Sequence, residues 1–144
     1  MKSKKRVPLY VLSLLFYGSM LFFTVYAWDI RCSRLPQVTV GRLEKQAFSY
    51  SQTLENGQTF EATYHFFGIP KELATHGHIF EIETVQKDGL TYYYAKEIYL
   101  PIDRTIENET SYALNQTNFT KTIILTGYET LEDGMEVHIV KDEE

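Results

Sequence analysis

Residues 79–100 read IFEIETVQKDGLTYYYAKEIYL, and this stretch decides the fold. Two runs rich in Ile, Thr, Val and Tyr flank Lys87-Asp88-Gly89. β-Branched and aromatic side chains suit a pleated, half-buried surface, and Asp-Gly tolerates the positive φ of a tight hairpin turn. The spacing predicts strands over 79–85 and 90–100, with Pro101 ending the second because it carries no N–H for a ladder.

Upstream, 46–53 and 58–67 flank Glu55-Asn56-Gly57, a second hairpin signal of the same kind. A first strand is expected at 37–41, and a third pair at 121–126 and 135–140 around the segment from Gly127 to Gly134. Lys71 to Thr75, directly after Pro70, suits one helical turn. Residues 105–120 are polar and rich in Asn and Thr, which predicts a loop with one short strand. Alternation with polar neighbours nominates a core of Phe48, Tyr50, Phe60, Tyr64, Phe66, Phe80, Ile82, Tyr92, Tyr94, Ile98, Ile123, Leu125 and Val137. The expected fold is all-β, a small antiparallel barrel or sandwich of six to eight strands.

Ahead of this domain, residues 7–28 contain no charged side chain. A helix over them is roughly 33 Å long, enough to cross a hydrocarbon core of about 30 Å. Lys2, Lys4, Lys5 and Arg6 precede it, and basic residues stay on the cytoplasmic side. Tyr10 at one end, and Tyr26 and Trp28 at the other, suit the two membrane interfaces. A cleaved secretory signal ending after Ala27 is the competing reading, but the apolar run is longer than the roughly 7–15 residues of an ordinary signal core. The expected organisation is a basic cytoplasmic N-terminus (1–6), a transmembrane signal-anchor helix (7–28), a tether (29–36) and an extracytoplasmic β domain (37–144). The C-terminal Lys141-Asp142-Glu143-Glu144 reads as a frayed end. Asp29-Ile30-Arg31 before Cys32 is not the small apolar context of a lipid-attachment site.

The whole chain carries a formal charge of −5; setting aside the four basic residues ahead of the helix leaves 10 Lys and Arg against 19 Asp and Glu, or −9. Such a domain does not neutralise phosphates, which excludes nucleic acid as a partner, and it is repelled by anionic lipid surfaces. Cys32 is the only cysteine, so no internal disulfide staples the fold; it is a thiol near the membrane or one half of an intermolecular bridge.

No catalytic constellation emerges. There is no Gly-x-Ser-x-Gly turn, no His-Glu-x-x-His pair and no Gly-rich phosphate loop, and the cysteine is remote in sequence from every histidine. His76-Gly77-His78 is the one metal-like pattern, since two imidazoles at i and i+2 share a side in an extended segment. Two polar residues in a turn are the plainer account. His65 and His138 are not placed near them by anything in the sequence. The sequons at Asn108, Asn115 and Asn118 are treated as composition. Tyr92-Tyr93-Tyr94 suggests a ligand platform, against the plainer expectation of a sheet with one ring in and two out. The chain is expected to be non-enzymatic and to need no cofactor.

The ectodomain's second half resembles the membrane-proximal domain of periplasmic adaptor (membrane fusion) subunits of efflux pumps. The likeness is carried by Ile69-Pro70-Lys71-Glu72-Leu73, then His78-Ile79-Phe80-Glu81-Ile82-Glu83, then Lys87-Asp88-Gly89. It closes on Ile123-Ile124-Leu125-Thr126-Gly127-Tyr128 and on Leu131-Glu132-Asp133-Gly134-Met135-Glu136-Val137. The family's α-helical hairpin and lipoyl domain have no counterpart here, and Gly127-Tyr128 stands where the family carries Gly-Leu. The resemblance implies a reduced adaptor: a membrane-anchored accessory subunit making protein contacts with a membrane transporter, with homo-oligomerisation left open. Tyr92, Tyr93, Tyr99 and Tyr128 are the nominated contact residues, because exposed tyrosines supply contact area at low entropic cost. The alternative is an extracytoplasmic ligand- or metal-binding sensor with His76 and His78 as first ligands.

Overall fold

The computed structural model describes residues 6–141, with side chains from Leu9 onward. Lys2, Lys4 and Lys5, the side chain of Arg6, and the acidic end at 142–144 lie outside the described residues. The chain forms two compact units, one reaching Leu35 and the other starting at Pro36.

The first unit is a single helix, α1 (Arg6–Arg34). Its segment from Leu9 to Arg34 is long and apolar enough to cross a membrane, a property an anchor and a signal sequence share. The helix runs on through the stretch expected to be a tether. Asp29, Arg31 and Arg34 are polar but carry ordinary helix propensity, and Arg31 and Arg34 in the last turn complement the negative end of the helix dipole. Pro36 ends it, since the residue before a proline is pushed out of the α region.

The second unit is mostly β, with one short helix. Its elements are β1 (Gln37–Arg42), β2 (Lys45–Thr53), β3 (Thr59–Pro70), α2 (Lys71–His76), β4 (Ile79–Lys87), β5 (Leu90–Ile98), β6 (Ile102–Glu107), β7 (Ser111–Leu114), β8 (Thr122–Thr126) and β9 (Met135–Ile139). Five strands close into a barrel in the order β1-β8-β4-β5-β9, and four form a sheet in the order β2-β3-β7-β6. Barrel and sheet together make nine strands among the described residues, where six to eight were expected.

Both predicted hairpins form, by different turns. Asp88 (φ 54°) and Gly89 (φ 76°) are both left-handed, which defines a two-residue turn that continues the strand twist of β4 and β5. Between β2 and β3 only Gly57 (φ 80°) is left-handed. There Leu54 donates to the Gln58 carbonyl at 2.8 Å, while Gly57 donates to the Leu54 carbonyl at 2.9 Å, closing a three-residue loop.

The expected third hairpin does not exist. β8 pairs with β1 and β4, whereas β9 pairs with β5 and, in parallel, with β1. The connecting segment is too long for a tight turn and buries Tyr128 and Leu131 in the core, so it works as a crossover. Gly127 permits this route: a Cβ there would overlap the Gln37 carbonyl oxygen. Conversely, the β6–β7 hairpin starts at Ile102 and runs into 105–120, where a loop with one short strand was expected. Asn108 Oδ1 accepts from the Thr110 and Ser111 amides at 3.0 and 2.7 Å, so a side chain builds the turn in a stretch with no hydrophobic alternation.

The core lies in the barrel and under α2. Val38, Phe80, Ala95, Ile123 and Val137 line it from the strands, and Leu73 and Ala74 from α2. Of the tyrosine triplet it is Tyr93 that packs against this core. The buried Ala95 fixes the inward phase of β5, so Tyr92 and Tyr94 project to the other side. One ring is in and two are out, as expected of the triplet, but the inner ring is Tyr93 and not the nominated core residues Tyr92 and Tyr94.

Candidate functional site

The largest departure from the expected core is in the β2–β3 hairpin. Phe48 is buried, and Phe66 is half-buried. Tyr50, Phe60 and Tyr64 are 48, 61 and 50 % exposed. Register explains how they come together. Phe48 opposes Tyr64, Tyr50 opposes Ala62, and Gln52 opposes Phe60. Directly opposed residues share a face, so five aromatic rings occupy one side of a two-stranded ribbon. The reverse side carries Ser49, Ser51, Thr53, Thr59, Glu61, Thr63 and His65.

The ribbon extends beyond the rest of its sheet. β7 pairs with β3 only from Phe67 to Pro70, so residues 59–66 have β2 as their one strand partner among the described residues. Eight residues at about 3.4 Å each make an arm of roughly 27 Å. At its foot, Asn108 Nδ2 donates to Gln46 Oε1 at 2.9 Å, tying β2 to the end of β6. At the base of the arm Phe66 packs against both rings of the next level, Phe48 (centroids 6.2 Å apart) and Tyr64 (6.0 Å). Three aromatics of roughly 200 Å² each, about half exposed, leave on the order of 300 Å² of uncovered ring surface. Patches of that size on a monomer are often functional.

For β2 and β3 the sequence identified which residues share a face but not whether anything covers it. Periodicity reports which residues share a side; it carries no information on whether a second layer lies above.

The nominated contact tyrosines do not form one site. Tyr99 is 92 % exposed just past β5. Tyr92 and Tyr93 are half-buried on opposite sides of β5. Tyr128 is buried in the core, not exposed as its nomination required. Its ring meets His76 edge-on at 4.9 Å, and burial, then the charges of Glu129 and Glu72, push its hydroxyl pKa above the ordinary value.

His76 closes α2, and His78 follows Gly77, which is left-handed at φ 87°. The segment is therefore not extended, and the two rings stand 5.9 Å apart at 70°. His78 Nδ1 bonds Glu97 Oε1 at 2.5 Å, and the Glu97 amide donates to Asp133. His65 lies on β3 opposite Ala47, and His138 on β9 opposite Gln37. Among the described residues no three His, Cys, Asp or Glu side chains are grouped to hold a metal ion.

Two crevices of the β unit, one between Ala74 and Arg104 and one between Lys45 and Thr117, hold about 170 and 180 Å³. Small-molecule sites run to roughly 300–1,000 Å³. In the first, Arg104 is engaged, donating to the Ala74 carbonyl at 3.0 Å.

No family model matches the chain, and neither a curated protein nor a solved structure matches it.

Proposed function

We propose that this chain is a non-enzymatic accessory subunit, anchored by α1 with its N-terminus in the cytoplasm and its β unit outside, which contacts a membrane transporter. The uncovered aromatic face of the β2–β3 arm is the observation that carries this reading. Tyr50, Phe60 and Tyr64 offer rigid rings with few rotors to immobilise, the composition that concentrates binding energy in protein interfaces. A helix long enough to span a bilayer would hold the arm beside other membrane proteins and raise their effective concentration. The adaptor likeness of the barrel segments points to the same kind of partner, as a reduced adaptor without lipoyl or α-hairpin domains.

Complementation of a deletion strain tests it. Residues 37–144 released without the helix are expected to fold but not to restore the phenotype, and full-length protein carrying His76→Ala and His78→Ala is expected to restore it. An inactive double histidine variant, together with a detached domain that works, would replace this reading with the metal-sensor alternative.

A further inference from the structure

Above its foot, where Gln46 accepts from Asn108 beside the end of β6, the outer edge of β2 from Ala47 to Thr53 has no strand partner among the described residues. β2 pairs with β3 alone among the described residues, so its other side presents backbone donors and acceptors. Leu54 and Gln58 are bonded to each other. Antiparallel bonding alternates along the strand, which turns the backbone groups of Ala47, Ser49, Ser51 and Thr53 away from β3.

Sheet edges of this kind are normally blunted by charge, proline or a bulge. β2 has none of these from Gln46 to Thr53, and its β3 pairing runs without a register shift. The other open edges are charged. β6 carries Asp103, Arg104 and Glu107, and the outer stretch of β3 carries Glu61.

We infer that β2 pairs antiparallel with β2 of a second copy of this chain, about a two-fold axis at Tyr50. The register follows from which groups face outward. Ala47 then bonds Thr53 of the other copy and Ser49 bonds Ser51, giving about eight backbone hydrogen bonds across the axis. Typical interfaces carry about ten. The charges agree with this register. Lys45 and Glu55 are equally distant from Tyr50 in sequence, so each end of the paired strands brings Lys45 of one copy toward Glu55 in the turn of the other. Between those ends no charge meets its like, although the exported part as a whole is strongly acidic.

The two ribbons become one four-stranded sheet whose aromatic side is continuous, with Tyr50 beside Tyr50 of the second copy. The assembly closes as a dimer, because a two-fold contact consumes the edge on both partners. Its strip is small. A strand of about 31 Å and a sheet about 10 Å thick give roughly 300 Å² per partner, against about 800 Å² for a standard interface. Pairing is therefore expected chiefly between copies held in one membrane, where effective concentration is high. That last point rests on the proposed anchor; the register does not.

Directed cross-linking of the full-length chain in membranes, in a Cys32→Ser background, tests the pairing. Tyr50→Cys places two thiols at a non-hydrogen-bonded pair about 4.5 Å apart between Cα atoms, within disulfide range. Copper–phenanthroline with oxygen, which removes one electron and one proton from each thiol, should convert most of it to dimer. Phe60→Cys lies on the same face but one strand further from the axis, and should remain monomeric; equal cross-linking at both positions means aromatic faces stacking and overturns the pairing. Ser51→Pro removes an outward N–H without touching the β3 ladder and loses two of the bonds across the axis. It should lower the dimer yield of Tyr50→Cys by about tenfold or more. Lys45→Glu should weaken the dimer as well, and adding Glu55→Lys should restore it. A monomeric Tyr50→Cys protein, or a charge exchange that restores nothing, rejects the inference.

Discussion

Phe48 and Tyr64 face each other across β2 and β3, yet Phe48 is 0 % exposed and Tyr64 is 50 % exposed. They share a side of one ribbon and differ in what lies next to them. They stand level along the ribbon, but Phe48 is on β2, which Gln46 and Asn108 tie to β6 two residues below, while Tyr64 is on the stretch of β3 that outruns β7. The boundary of the folded layer passes between two opposed rings. Everything beyond it is held in shape by the hairpin itself.

Gly89 is expected to be the most sensitive position of the β4–β5 turn. Valine there would hold a β-branched side chain at a left-handed backbone angle, with Asp88 already left-handed beside it. The expected cost is roughly 1–3 kcal/mol. Chemical denaturation of Gly89→Val checks it, and an unshifted midpoint would contradict the turn assignment.

Gly127→Ala and Gly134→Ala separate strain from crowding. Both glycines are left-handed, at φ 78° and 80°. A Cβ at Gly134 meets open space, whereas one at Gly127 meets the Gln37 carbonyl between β8 and β1. Gly134→Ala should cost on the order of 1 kcal/mol from backbone strain alone. Gly127→Ala should cost more, because the barrel must open at β1 to admit the methyl group. Paired denaturation curves decide it; equal losses would remove the crowding argument.

Asp103 should titrate below the usual carboxylate range. The Thr105 hydroxyl donates to its Oδ1 at 2.6 Å and the Thr105 amide at 2.9 Å, both favouring the charged form. A pKa lowered in the folded state contributes stability above the unfolded value, and that contribution is lost as pH falls through the folded value. Thr105→Val should raise the Asp103 pKa toward the ordinary value, seen in an NMR titration of its carboxyl carbon. An unchanged pKa would show that the hydroxyl is not what holds it down.

Alkaline carbonate washing tests the anchor. Full-length protein is expected to stay with the membrane pellet, with the apolar helix intact at its N-terminus. A mature chain beginning at Trp28 would show that the helix is a cleaved signal.

Much of the fold was legible because turn chemistry and alternation act locally. Asp88-Gly89 and Asn56-Gly57 each announced a hairpin, and Pro70 and Pro101 marked where strands stop. Features set by distant contacts were not legible. The partners of β8 and β9 are chosen by closure of the barrel, and no local signal around Gly127 distinguishes a crossover from a long hairpin. The β6–β7 turn is written in the side chain of Asn108, which a search for apolar alternation passes over. The aromatic arm was misassigned for the same reason: Tyr50, Phe60 and Tyr64 have the period of a core, and only the length of β7 leaves them uncovered. Tyr128 was missed in the opposite direction, since its loop position concealed a ring packed against His76.

A photoreactive residue at Phe60 in the full-length protein, activated in intact membranes, tests the central claim most directly. The account predicts a covalent adduct with a polytopic membrane protein, lost when Tyr50 and Tyr64 are both changed to Ser while the domain stays folded. Label found only on lipid, or only on a second copy of this chain, would contradict it.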